Sequence, residues 1–284
     1  MKLRAKAKRF ICGSMPGIRG HFRYFGESVY FPLGSHIFER ACREGIYERD
    51  VVNLILSLVD PGSTYFDVGA NIGLMSVPVL SQKPDVNVVS IEASPSTLPW
   101  LVKSHSASHH VKRWTIVGEA VGAICGEIEF WSGGGATGAF DGIQNTGRGG
   151  AKRLIRVPIR TLDDIWQELG HPAVSVVKMD VEGGEWLAFR GALNLISATR
   201  PIFIIEWNRV NLNAYNIDPN ELLRISCDIE YQVFALPNFV PVTITPILRA
   251  MMATTETFLL APAEIEASRY APSQSYSRLS RLAK

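Results

Sequence analysis

The sequence DVGANIG occupies residues 67–73, between an apolar segment predicted to be a strand, Thr64 to Val68, and a predicted helix, Leu74 to Leu80. A second predicted strand, Val86 to Ile91, completes a β-α-β unit. Nucleotide-binding α/β folds bind their ligands at such a strand-to-helix turn, where glycines let the backbone approach the ligand closely. The stretch therefore predicts an α/β protein with a cofactor site at this turn.

The residue types around the turn distinguish between cofactors. A dinucleotide fingerprint reads G-x-G-x-x-G, whereas residue 71 is Asn, and the carboxylate of Asp67 would repel a pyrophosphate. S-adenosylmethionine has no phosphate and carries a sulfonium and an ammonium group, so the same carboxylate would attract it. Glu92, after the second strand, is placed to accept hydrogen bonds from both ribose hydroxyls. We predict S-adenosylmethionine as the cofactor, although each residue taken singly could serve packing or capping.

Strands and helices continue to alternate along the chain. Further strands of the sheet are predicted at Trp114 to Val117, Val174 to Met179, Ile202 to Ile205, Tyr231 to Ala235 and Thr257 to Leu260. This alternation predicts a mainly parallel sheet with helices on both faces. We expect an irregular N-terminal cap over residues 1–45, a catalytic domain over 46–262 and a polar, disordered tail over 263–284. The glycine-rich stretch 133–150 is either a lid or a linker.

Composition is that of a globular protein, with 46% hydrophobic and 20% charged residues. The formal net charge of +2 is too small to imply a nucleic-acid or membrane partner, and only the basic N-terminus suggests one. Neither a secretory signal nor a transmembrane run is evident, and the four cysteines have no zinc-binding spacing. We expect a cytoplasmic protein with a small-molecule or glycan partner, no nucleic acid and no stable membrane insertion, while the oligomeric state stays open.

A second acidic segment, VKMDVEGGEW at residues 177–186, brings Asp180 and Glu182 to the end of a predicted strand. Glu206 ends the next strand. Ligands of open α/β sheets bind at this carboxyl edge, so these acids should lie beside the cofactor. Crowded carboxylates raise one another's pKa, which would suit one of them for proton transfer.

Together these segments resemble the FkbM-type methyltransferases, through DVGANIG, IEASP, TLDD and VKMDVEGGEW. The resemblance covers approximately Tyr47 to Asn208. It implies a Rossmann-like class I methyltransferase fold with a mainly parallel seven-stranded sheet. It also implies methyl transfer from S-adenosylmethionine to a hydroxyl of a sugar or polyketide-like molecule.

The resemblance further implies individual cofactor contacts. It places Asp67, Gly69, Asn71 and Gly73 around the methionine part, and Ala70 of the same turn is also predicted to bind the cofactor. Glu92 would bind the ribose with Ser94 close by, and Glu119 and Ala120 would lie near the adenine. Glu119 departs from the family pattern, in which this position is usually polar and uncharged. Gly184 stands where many relatives carry a histidine or another polar residue.

Methylation of an alcohol is an in-line displacement in which the hydroxyl must also lose its proton. We expect Asp180, or alternatively Glu182 or Glu206, to accept that proton or orient the hydroxyl. Asp180 could instead hold the cofactor's amino group. Mg²⁺ bound by Asp180, Glu206 and the substrate is an alternative, but no resident metal is predicted. The rival classes are an NAD-dependent sugar oxidoreductase, which Asn71 disfavours, and a non-catalytic cofactor-binding scaffold.

Overall fold

The computed structural model describes residues 6–7 and 20–264; positions 1–5 and 8–19 of the predicted cap and 265–284 of the predicted tail lie outside the described residues. The strands are β1 (His21–Tyr24), β2 (Glu27–Tyr30), β3 (Thr64–Val68), β4 (Asn87–Ile91), β5 (Trp114–Val117), β6 (Ala120–Val121), β7 (Gly126–Ser132), β8 (Arg153–Arg160), β9 (Val174–Met179), β10 (Ile202–Glu206), β11 (Tyr231–Ala235), β12 (Val240–Pro241) and β13 (Thr257–Pro262). The helices are α1 (His36–Glu44), α2 (Arg49–Leu58), α3 (Ser76–Gln82), α4 (Leu98–Ser106), α5 (Leu162–Glu168), α6 (Glu185–Arg190), α7 (Leu193–Thr199), α8 (Arg209–Tyr215), α9 (Glu221–Asp228) and α10 (Thr245–Met251). Within the described residues, no helix is long and apolar enough to cross a membrane.

An eight-stranded sheet forms the centre of the protein, in the order β12-β11-β13-β10-β9-β3-β4-β5. The five strands from β10 to β5 in this order run parallel, whereas β13, β11 and β12 pair antiparallel at one edge. The predicted Rossmann-like α/β fold is confirmed. The seven predicted strands are all present, and the two-residue strand β12, which was not predicted, extends the sheet at its antiparallel edge.

Alternate residues of the central strands pack on opposite faces of the sheet. In β3, Tyr65 belongs to the apolar cluster formed with α1 to α4, whereas Phe66 belongs to the cluster formed with α5 to α10. Val176 and Val177 of β9 divide in the same way. A parallel strand covered on both faces has no exposed side, and therefore β3 is buried at all five of its positions.

The register of the parallel strands places their carboxyl ends side by side. Val68 of β3 pairs with Ile91 of β4 and with Met179 of β9, which in turn pairs with Ile205 of β10. The residues that follow these four positions must therefore meet at one edge of the sheet. They are Gly69, Glu92, Asp180 and Glu206, all four of which the sequence predicts as site residues.

The described part of the N-terminal segment is regular, so the prediction of an irregular cap was wrong here. β1 and β2 form a hairpin, and the rings of Phe22, Phe31 and Phe38 pack against one another, with Phe31 stacked on Phe38. The buried carboxylate of Glu27 accepts a hydrogen bond from the backbone N–H of His109 at 3.1 Å. The sequence pattern missed the hairpin because its apolar residues gain a core only through packing against the main domain.

The glycine-rich stretch joins β7 to β8 and is pinned to the main domain by Asp141. This buried carboxylate accepts hydrogen bonds from Ser94 Oγ at 2.7 Å, Ser132 Oγ at 2.9 Å and the backbone N–H of Gly133 at 2.7 Å. Asp141 therefore holds the stretch beside the edge of the sheet, and the alternatives of a lid and a linker both stay predictions.

Replacing Asp141 should loosen this stretch. We expect Asp141→Asn to lower the free energy of unfolding by about 1–3 kcal/mol, because an amide cannot accept all of these hydrogen bonds. Urea unfolding measures the change, and protease cleavage within residues 133–150 should become faster. Asp228→Asn, at an exposed position, is the matched control; equal behaviour of the two variants would contradict the pinning role.

Candidate active site

A cavity of about 240 Å³ opens where the parallel strands end. Most of the predicted site residues line it, namely Asp67, Gly69, Ala70, Asn71, Glu92, Glu119, Ala120, Asp180, Glu182 and Glu206. Gly73 and Ser94 are not among the lining residues. The fold thus brings the glycine turn and the acidic segment together in one cavity.

The turn after β3 needs glycine at position 69. Gly69 has a φ of +81°, and a Cβ there would lie 1.9 Å from the carbonyl oxygen of Asp180. The backbone N–H groups of Gly69 and Ala70 both donate to the carbonyl oxygen of Ile91, at 2.9 and 3.0 Å. Gly73 has a different role, because a Cβ there would press against Leu101 and Trp114. Gly73 therefore allows close helix packing and does not face the cavity.

Asp67 lines the cavity, and its carboxylate also makes a hydrogen bond to the first residue of α3. Its fully buried Oδ2 accepts a hydrogen bond from Ser76 Oγ at 2.5 Å, at the start of α3. Burial raises the pKa of Asp67, and the nearby ammonium of Lys178 opposes that rise. Asp67 thus holds the helix against the turn, which is the packing or capping role that the sequence left open for it.

Glu92 fixes the loops on both sides of it. Its Oε1 accepts from the backbone N–H of Ser94 at 2.7 Å, and its Oε2 accepts from that of Asn71 at 2.8 Å. Burial raises the pKa of Glu92 to about 7 even though these two N–H groups oppose the change. Ser94 is fully buried and donates its hydroxyl to Asp141, so it supports Glu92 and the glycine-rich stretch from behind the cavity wall.

One part of the cavity has apolar walls suited to a flat aromatic ring. Ala93, Ala120, Phe130 and Ile143 line it and belong to one small apolar cluster. Glu119 also lines the cavity, and its carboxylate accepts a hydrogen bond from Arg160 at 3.4 Å. Sequence reasoning missed Phe130 and Ile143 because nothing in their own segments links them to the turn.

The three predicted catalytic acids form a tight cluster. Asp180, Glu182 and Glu206 each have a carboxylate oxygen within 4.8 Å of the other two. Each acid also has a donor from the protein: Lys178 Nζ lies 3.1 Å from Asp180, Arg148 Nη1 lies 3.1 Å from Glu182, and Asn211 Nδ2 lies 3.1 Å from Glu206. The oxygens could hold a hard divalent cation, which would have to compete with these donors.

Burial and mutual repulsion change how readily the cluster binds protons. Burial, followed by the charge of Asp180, raises the pKa of Glu182 to about 7. The pKa of Glu206 lies well above its usual range for the same two reasons, with Glu182 and Glu185 contributing. A carboxyl group with a pKa of about 7, such as Glu182, exchanges protons near neutral pH, as general acid–base chemistry requires.

Two further segments complete the cavity wall, and none of their side chains was predicted to belong to the site. Arg40 of α1 and the turn residues Tyr47 and Glu48 come from the N-terminal side. From the glycine-rich stretch, Arg148 reaches Glu182 while its guanidinium lies over the ring of Phe140, 4.8 Å from the ring centre. These residues are brought to the site by tertiary packing, and no local motif marks them.

Comparison with known proteins identifies the family of the chain. Residues 67–233 match the sequence model of the methyltransferase FkbM domain. Similar solved structures include a methyltransferase FkbM from Methylobacillus flagellatus KT, with 20% identity and a TM-score of 0.44 over 70% of this chain and 43% of that chain. The chain therefore spans less than half the length of that protein.

Two further solved structures show lower sequence identity. A human methyltransferase 10 domain containing protein shares 11% identity at a TM-score of 0.45, over 94% of this chain and 99% of that chain. A SAM-dependent O-methyltransferase from Thermotoga maritima shares 13% identity at a TM-score of 0.38, over 77% and 66% of the two chains. No curated protein matches the sequence.

Glu185, a buried acid near Asp180 and Glu182, should make the stability of the protein depend on pH. Burial raises the pKa of Glu185 to about 8, and its Oε1 accepts from the backbone N–H of Val181 at 2.9 Å. Because the native state binds this proton more tightly than the unfolded chain, the stabilising contribution is complete below about pH 4.5 and is lost as the pH rises to about 8. We expect Glu185→Gln to reduce the fall in unfolding free energy between pH 5 and 8.

Urea unfolding at a series of pH values measures this effect. Glu129→Gln, at an exposed position of β7, is the matched control and should leave the pH dependence unchanged. An unaltered pH dependence in Glu185→Gln would show that the side chain is ionised in the native protein at neutral pH.

Proposed function

Because the chain belongs to the FkbM methyltransferase family, we propose that it transfers the methyl group of S-adenosylmethionine to a hydroxyl oxygen of a sugar or polyketide-like molecule. The observation that carries this proposal is that the acids Asp180, Glu182 and Glu206 line the same cavity as the glycine turn and Glu92. A proton acceptor and a cofactor site thus face one space, as O-methylation requires.

The residues present fit S-adenosylmethionine, which when bound supplies an electrophilic methyl group on a sulfonium. The turn residues Gly69, Ala70 and Asn71 line the cavity, and Glu92 has a carboxylate at the cavity wall for the ribose hydroxyls. The apolar walls around Phe130 suit the adenine. The carboxylates of the cavity favour a cationic ligand, whereas the pyrophosphate of NAD would face the same negative charges.

We propose Asp180 as the residue that accepts the hydroxyl proton or orients the hydroxyl, with Glu182 and Glu206 as the alternatives. Asp180 is more accessible than Glu182, with 29% of its side chain exposed against 7%. The ammonium of Lys178 compensates its charge at 3.1 Å. Glu182 is already bound to Arg148, and Asn211 holds Glu206.

Isothermal titration with S-adenosylhomocysteine, and separately with NADH, tests the cofactor. The wild-type protein should bind S-adenosylhomocysteine, and binding should weaken as the pH falls through about 7, because protonation of Glu92 removes an acceptor for the ribose. Glu92→Ala should lose binding, while the control Glu129→Ala should retain it. Binding of NADH without S-adenosylhomocysteine would refute the proposal and favour the oxidoreductase.

Substitution of the proposed proton acceptor tests the chemistry. We expect Asp180→Asn to lower kcat about 10²–10⁴-fold, because the amide cannot take up a proton. S-adenosylhomocysteine affinity should stay close to that of the wild type. Methyl transfer from labelled S-adenosylmethionine to a panel of sugars and macrolide alcohols provides the assay, with Glu182→Gln and Glu206→Gln run in parallel.

The outcomes of this assay separate the alternatives. Full activity in Asp180→Asn, with a large loss in Glu206→Gln or Glu182→Gln, would reassign the proton acceptor. Loss of cofactor affinity in Asp180→Asn would give Asp180 the role of binding the cofactor's amino group. Activity abolished by a chelator and restored by Mg²⁺ would show that a metal acidifies the hydroxyl.

A further inference from the structure

Glu48 has an unfavourable backbone conformation immediately before α2. Its φ of 43° and ψ of 55° lie in the left-handed region, and its side chain makes no capping hydrogen bond. Helix N-caps are usually Ser, Thr, Asp or Asn in an extended conformation, with a side chain that accepts a backbone N–H. The helices α1, α5 and α8 begin in this way, at Ser35, Thr161 and Asn208. The side chain of Glu48 therefore does not cap the N-terminus of α2, as a Ser, Thr, Asp or Asn would.

The side chain of Glu48 is directed instead to the cavity. It lines the cavity wall and is 28% exposed, with its Oε1 3.5 Å from Arg40 Nη1. The hydroxyl of Tyr47 contacts both side chains of this pair: it makes a hydrogen bond with Glu48 and accepts one from Arg40 Nη1 at 3.3 Å. Lys178 and Asp180 of the methyl-transfer cluster are the other charged groups that act on Glu48. Burial raises the pKa of Glu48, Asp180 adds to the rise, and Lys178 and Arg40 oppose it. A carboxylate and a guanidinium thus lie side by side at the proposed site of transfer.

Two other non-glycine residues that line the cavity also have left-handed backbone conformations. Among the described residues that line it, those with positive φ other than glycine are Glu48, Asn71 and Glu182. Asn71 belongs to the cofactor turn and Glu182 to the acidic cluster. Strained conformations of this kind persist where a functional site requires the side chain. Glu48 shares this property although it lies outside the residues matched to the family.

The chemistry of this pair suits a hydroxyl group. A hydroxyl can donate to the carboxylate and accept from the guanidinium at the same time. Arg40, Lys178 and Arg148 each already face a carboxylate of the cavity, so the wall favours an uncharged acceptor over an anionic one.

We propose that Glu48 and Arg40 bind a second hydroxyl of an uncharged, polyhydroxylated acceptor and so select which hydroxyl is methylated. This inference rests on the proposed function. It assigns acceptor recognition to the N-terminal segment, because Arg40 is part of α1 and Glu48 follows it before α2.

Thermal unfolding tests whether Glu48 is retained for a ligand or for the fold. Glu48→Gly should leave Tm unchanged or raise it by about 2 °C, because glycine relieves the left-handed strain. The matched control is Glu230→Gly, since Glu230 has a φ of 59°, is exposed and does not line the cavity. A Tm several degrees below that of Glu230→Gly would show that Glu48 has a structural role and would overturn the proposal.

Ligand binding provides the second readout. With S-adenosylhomocysteine bound, the wild-type protein should bind at least one of myo-inositol and a set of methyl glycosides in isothermal titration. Glu48→Gln should weaken that binding and raise the acceptor's KM about tenfold, with kcat within about threefold, which corresponds to one lost hydrogen bond. Glu230→Gly should match the wild type in both measurements.

The results distinguish this inference from the proposed function. If the wild type binds S-adenosylhomocysteine but none of these polyols, or if Glu48→Gln leaves KM unchanged, the inference fails while the proposed function stands. If the wild type does not bind S-adenosylhomocysteine, the proposed function fails and the inference fails with it.

Discussion

The turn at Gly69 lies so close to the end of β9 that a methyl group on residue 69 would come within 1.9 Å of the carbonyl oxygen of Asp180. This contact joins the glycine turn to the acidic segment, and it exists because Val68 and Met179 are paired in neighbouring parallel strands. Once that register is set, the residues after each strand must share one edge. The cofactor turn and the proposed proton acceptor are therefore placed together by backbone geometry before any side chain contributes.

Around this contact several residues have features that are unfavourable for stability, namely buried carboxyl groups and left-handed backbone conformations. Glu92 and Glu182 are carboxylic acids in poorly solvated positions, and their pKa values rise to about 7 as a result. Glu48, Asn71 and Glu182 also take up left-handed backbone conformations at the cavity wall. Natural proteins depart from local rules mainly where function demands it. The presence of carboxyl groups with raised pKa values at the wall of one cavity supports its assignment as the active site.

The sequence predicts the sheet and half of the site, because these predictions need only short segments of the chain. Gly69, Glu92, Asp180 and Glu206 follow predicted strands directly, so knowledge of a parallel sheet is enough to bring them together. Gly73 and Ser94 were placed at the cofactor because they belong to the same motifs, but close helix packing and support of Glu92 explain them better.

The remaining wall depends on contacts between distant parts of the chain, which no local pattern records. Arg40 and Glu48 reach the cavity through the packing of the N-terminal helices, and Arg148 reaches it because Asp141 pins the glycine-rich stretch. The most direct test of the whole account is a crystal structure with S-adenosylhomocysteine. The account predicts the ribose on Glu92, the adenine beside Phe130 and the sulfur facing Asp180, whereas a ligand bound elsewhere, or a sulfur facing away from Asp180, would contradict it.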